Sequence, residues 1–234
     1  MWALRFSGFV LAALGLLSVA NHDFAFQWQP VPPDVPGRAA LAVIAGIVEI
    51  AVGGALWSVR WQRKAAVAGS LVFFVWMVLH LPAVARTPLD VAAWLGVAET
   101  AALTIGLWLA GDPKPFAAAF VRAYGLALVI FGLSHFVYAE FTASMIQQWL
   151  PARLFLAYLT GAIHIVAGIA VLLRFRTRLA ATLESAMMFS FVVLVHVPRV
   201  VASPGSRIEW TMLLVACALS CSAWQVAQNE SQNK

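Results

Sequence analysis

The chain has 234 residues, of which 62% are hydrophobic and 11% charged, with 10 tryptophans and a formal net charge of +5. Its mean hydropathy of +0.87 lies far outside the range of a water-soluble domain and reads as a membrane protein. The basic residues stand in short loops between apolar runs rather than along one polar face, which excludes nucleic acid as a partner, and no run alternates as a barrel strand must.

Eight apolar segments are each long enough to cross a ~30 Å hydrocarbon layer as a helix. They are Ala3–Ala20, Ala39–Val59, Ala65–Val84, Val91–Ala110, Phe116–Ala139, Leu154–Leu173, Leu179–Val197 and Ile208–Ala227. The fold class is therefore an all-α membrane protein with eight transmembrane helices.

The first segment follows a short basic start, as a signal peptide would, but it has a counterpart later in the chain and is expected to be retained. The second carries AGIVEIAVGGA, residues 45 to 55, in which Gly46, Glu49 and Gly53 share one helix face at i, i+3 and i+7. The third ends in HLPAV, residues 80 to 84, where Pro82 frees the carbonyl of Val78 and His80 stands ready either to satisfy it or to handle protons. Glu99 lies within the fourth.

In the fifth segment His135 shares a stripe with Tyr124, Phe131 and Tyr138. The sixth carries TGAIHIVAGIA, residues 160 to 170, and repeats the earlier spacing as Gly161, His164 and Gly168. Glu49 and His164 each lie eleven residues in from an arginine, roughly 16 Å along a helix and close to the midplane. The seventh ends in HVPRV, residues 196 to 200, with His196 and Pro198 placed like His80 and Pro82. Cys217 and Cys221 share one face of the eighth, either as small packing residues or in a thiol or metal role.

Shifting the chain against itself by 115 to 117 residues aligns Arg5, Gly8 and Gly15 with Arg122, Gly125 and Gly132. It also aligns Pro36, Arg38, Gly46 and Gly53 with Pro151, Arg153, Gly161 and Gly168, HLPAV with HVPRV, and Trp94 with Trp210. Residues 1–114 and 115–234 thus read as two four-helix units of the same orientation, related by an axis along the membrane normal. The connections 22–38 and 140–153 both end in P-x-R and serve either as interfacial anchors or as a lid.

With the N-terminus inside, Arg5, Arg60, Arg63, Lys64, Lys114, Arg122, Arg174, Arg176, Arg178 and Lys234 lie inside, against Arg38, Arg86, Arg153, Arg199 and Arg207 outside. That excess puts both termini in the cytoplasm.

Ionisable residues at bilayer depth face the bundle interior and find partners. His135, Tyr138, His164 and His196 are the candidate ligand-binding residues, because a quinone needs an aromatic slot and donors for its two carbonyl oxygens. Glu49, Glu99 and His80 are the candidate proton relay, and Glu49 and His164 would pair if their helices face each other. Convergence of His135, His164 and His196 on copper or haem is the lesser alternative, and no metal site is assigned. A P-loop, a dinucleotide fingerprint and hydrolase motifs do not occur.

The stretch FGLSHFVYAEFTASMIQQWLPARLFLAYLTGAIHIVAGIAVLL, followed by LVHVPRVVASP and RIEW, resembles the DoxX family of bacterial integral membrane proteins. The HDFAFQWQPVP opening resembles a subgroup in which the four-helix unit occurs twice. The resemblance implies an inner-membrane location and kinship with the small subunit of thiosulfate:quinone oxidoreductase. It further implies a redox-associated subunit that binds a quinone or similar lipophile beside a soluble or membrane oxidoreductase partner. Non-catalytic binding or transport of a lipid, or a structural scaffold, is the alternative.

Overall fold

The computed structural model describes residues 2–111 and 116–232. The expected boundary at 114/115, with Lys114 and Lys234 of the charge count, lies outside the described residues. Ten α-helices occur among them: α1 (Trp2–Asn21), α2 (Arg38–Ala55), α3 (Gln62–Arg86), α4 (Val91–Ala110), α5 (Ala117–Val137), the short α6 (Ala139–Met145), α7 (Arg153–Leu172), α8 (Thr177–Phe191), the short α9 (Val197–Ala202) and α10 (Arg207–Gln232). Eight helical stretches among the described residues are long and apolar enough to cross a membrane, with α8 and α9 forming one stretch, Thr177–Ala202.

These match the eight expected segments to within a few residues at most ends, with two informative differences. The fifth stops at Val137, and Tyr138 turns the chain into α6. The seventh runs past its expected end through a π-turn, Val192–His196, whose closing Val197 N–H bonds back to the Val192 carbonyl. That wider turn lies just ahead of Pro198, which has no N–H to give the regular ladder.

Consecutive long helices run antiparallel. A Cβ added to Gly46 would lie 2.6 Å from the Gly15 carbonyl oxygen, and one added to Gly53 would lie 2.5 Å from that of Gly8, so α1 and α2 touch backbone to backbone. The pair α5 and α7 touches the same way, Gly168 against Gly125 and Gly161 against Gly132. Small residues are the means by which helices approach closely where apolar burial alone gives no preference for protein over lipid.

Similarly, α3 packs on α4 and α8 on α10, while α4 and α10 meet each other and carry α5 and α1 on their outer sides. The indole N–H of Trp94 donates to the Pro88 carbonyl and that of Trp210 to the Pro204 carbonyl, both at 2.9 Å. Gly37 and Ala152, which precede Arg38 and Arg153, are both in the left-handed region, at φ +70° and +52°. Glycine takes that conformation freely; alanine does so at some cost.

The antiparallel order leaves Trp2, the 56–61 and 173–176 connections and Gln232 on one face, here the terminal face. The connections 22–37, 87–90, 138–152 and 203–206 lie on the other, the loop face.

Segment 22–37 folds inward rather than lying flat. Phe24, Ala25, Trp28 and Gln29 are all buried. Asp23 anchors the segment by bonding to Arg38 and, at 3.1 Å, to Arg207 of α10. Arg207 also donates to the Asp23 and Phe24 carbonyls and lies 4.6 Å above the Phe26 ring.

Candidate functional site

The second half assembles its polar groups on facing helices. His164 of α7 and Glu184 of α8 are 3% and 0% exposed, and Nδ1 of the first lies 2.5 Å from Oε1 of the second. Gly161 and Gly168 bring α7 against α5 on the same face, and there the His135 ring stands edge-on to His164 with centroids 5.0 Å apart. Phe131 and Phe191 close the cluster at 5.9 and 6.1 Å from the His164 ring.

The hydrogen bonds assign the His135 tautomer. Thr160 points its hydroxyl at the Leu156 or Ala157 carbonyl, 2.9 and 3.1 Å away, so its lone pair accepts from His135 Nδ1 at 2.9 Å. Neutral His135 therefore carries its proton on Nδ1 and leaves Nε2 as an acceptor. Tyr124, fully buried on α5, stands within the field of the Glu184 carboxylate.

Glu49 takes a different partner from the one expected. It accepts from Gln29 Nε2 at 2.5 Å, and Gln29 in turn accepts from the Ala25 N–H at 2.7 Å. The Trp76 indole also faces Glu49, and the Trp28 indole faces Glu99. The inward fold of segment 22–37 supplies both Gln29 and Trp28. The expected Glu49–His164 pair does not form, because each residue is paired inside its own half.

The remaining candidates stand apart from His135 and His164. Tyr138 is at the loop face, where its hydroxyl donates to Asp90 at 2.8 Å. That bond, with a second from the Ala92 N–H, holds the Asp90 carboxyl below its usual range, and it raises the Tyr138 phenol. His196 lies in the π-turn in the field of Arg199 and Glu209, which form a two-pronged pair at 2.8 and 2.6 Å. His80 does not bond the Val78 carbonyl; helix α3 continues through Pro82, and the imidazole fills the space over Gly96.

No group of three His, Cys, Asp or Glu side chains is set to hold a metal among the described residues, so the three histidines do not converge. Cys217 and Cys221 are buried free thiols within the α10 packing.

The reading of the sequence missed Glu184, Thr160 and Gln29. Glu184 carried a signal, since it is a lone carboxylate seven residues into an apolar span. Gln29 carried none, because a glutamine in a proline-rich connection looks like any solvated loop residue.

Residues 124–227 match the model of a domain of unknown function (DUF8561), a span that begins at Tyr124 and contains His135, Thr160, His164, Glu184 and His196. No curated protein and no solved structure matches the chain.

Proposed function

We propose that this chain is a redox-associated subunit of a bacterial inner membrane, of the DoxX type, which holds a quinone or similar lipophile against His135 and moves its proton through His164 and Glu184. The observation that carries the reading is the free Nε2 of His135 beside a fully buried His164–Glu184 pair. An imidazole acceptor suits a hydroquinone hydroxyl, and a carboxylate behind a second imidazole gives the proton a way in when the quinone is reduced and a way out when it is oxidised. Electrons would pass to or from an oxidoreductase partner.

In this reading Tyr138 and His196 belong to the outer rim rather than to the ligand. Glu49 and Glu99, with His80 near the loop face, balance protons in the first half. The duplicated design, with units 1–114 and 115–234 about an axis between α4 and α10, draws support from the matched glycine contacts, the matched indole bonds and the matched left-handed residues before Arg38 and Arg153.

The test is titration of the purified protein with a short-chain ubiquinone, read by tryptophan fluorescence. Saturable quenching is expected, weakened about tenfold or more in His135→Phe, since a lost hydrogen bond in a buried site costs about 1–3 kcal/mol. Quenching that does not saturate, or that His135→Phe leaves unchanged, rejects it.

One observation favours the second reading, lipid binding without catalysis. A groove of about 360 Å³ opens on the outer side of α2, lined by His22, Ala39, Ala40, Val43 and Ile44, and its apolar wall suits an acyl chain. An unchanged lipid complement in Val43→Trp would remove that support.

A further inference from the structure

The relay has a polar side and an apolar side. Two buried hydroxyls with no protein partner stand level with Glu184 and on its terminal-face side, those of Tyr124 and Thr177 respectively, and the Oε2 of Glu184 is itself unpartnered. Thr177 and Glu184 are seven residues apart on α8 and so share a face. Tyr124 and Glu184 each stand seven residues from the terminal-face start of their helix, roughly 10 Å along it, whereas His135 is roughly 27 Å along α5.

On the loop-face side the hydroxyls are already committed. Ser134 donates to the Phe131 carbonyl at 2.7 Å, and Thr160 donates to the backbone and accepts from His135. From α10, Ser220 is engaged with Ser185, and at the terminal face Glu230 pairs with Arg174 at 2.8 Å. Arg122 and Arg178 are exposed on the outside of the bundle.

A buried hydroxyl left without a partner costs about 1–3 kcal/mol, and water is the usual remedy in a polar cavity. A hydroxyl also accepts and donates at once, so a file of hydroxyls and waters conducts protons without any member changing its charge for long.

We propose that protons reach the relay from the terminal face, along water held by the hydroxyls of Thr177 and Tyr124. A proton entering at Thr177 passes through water to Tyr124 and on to Glu184. Glu184 delivers it to His164 Nδ1, and the imidazole releases one from its other nitrogen toward His135. One proton enters and one leaves; His164 is left as its other tautomer, and its ring and the hydroxyls turn back before the next transfer. This route rests on the reading of His164 and Glu184 as a working proton relay.

The experiment needs no ligand, so a failure to bind quinone leaves it intact. In the full-length protein carrying 15N-histidine, nuclear magnetic resonance gives the exchange lifetime of the His164 side-chain N–H. Tyr124→Phe and Thr177→Val should each lengthen it roughly a hundredfold, the lower end of what one positioned proton-transfer group contributes, while Ser134→Ala leaves it unchanged. Neither hydroxyl bonds to protein, so the thermal midpoint should stay level, whereas a purely structural hydroxyl would show its loss there. Should Tyr124→Phe disturb the fold, Thr177→Val decides the matter at the helix end. Unchanged exchange in the inner variants, or slowing by Ser134→Ala, overturns the route.

Discussion

At the scale of single residues the molecule turns on a histidine and a carboxylate paired inside the helix bundle. Buried polar pairs of this kind rarely stabilise a fold relative to apolar residues of the same size, but removing one partner leaves an uncompensated group and costs about 3–5 kcal/mol. His164→Leu and Glu184→Leu should each lower stability by about that much in detergent. The double variant should recover most of the loss, because the two groups face each other at 2.5 Å and their effects are then far from additive. Thermal unfolding of the four proteins measures the coupling, and additive losses would show that the pair does not act as one unit.

His164 was legible in the sequence because its flanking glycines fix a helix face. Its partner was not, since periodicity says which face a residue occupies and nothing about which helix lies opposite. Glu49 was the attractive guess by symmetry, but Glu184 takes that place and Glu49 bonds to Gln29 instead.

At the scale of elements, hydropathy found the helices because the bilayer sets their length and composition directly. It said little about segment 22–37, whose aromatic residues fitted an interfacial anchor first and a lid second. The segment is an inward cap tied down by Asp23, and that tie responds to acid.

Burial pushes the Asp23 carboxyl upward, but its bonds to Arg38 and Arg207 outweigh this and leave it below the ordinary value of 3.8. A carboxyl with a depressed folded value stabilises the folded form fully above its unfolded value, and the contribution disappears as pH falls through the folded one. Trp28, 6% exposed beneath the cap, should therefore keep constant protection from acrylamide between pH 7 and about 4 and lose it below. In Asp23→Asn the protection should already be reduced at pH 7. Equal quenching of variant and parent across this range would mean that the cap is held by its apolar contacts alone.

For the whole molecule, the remaining question is which face meets the cytoplasm, and the charges on the two faces differ in kind as well as in number. On the loop face Arg38 and Arg207 are engaged with Asp23, and Arg199 with Glu209, so much of that charge is neutralised locally. On the terminal face Arg60 and Lys64 lie over the Trp61 ring and Arg176 over the Phe175 ring. Such contacts leave their positive charge uncancelled where lipid headgroups begin. Uncancelled basic residues in short connections stay on the cytoplasmic side, so the terminal face should be cytoplasmic. Leu89 and Val59, 96% and 69% exposed, flank α3 at opposite ends, and the native thiols of Cys217 and Cys221 are buried. On intact cells a membrane-impermeant maleimide should label Leu89→Cys at once and Val59→Cys only after lysis. The reverse pattern would invert the orientation, and labelling of both from outside would mean that α3 does not cross the bilayer at all.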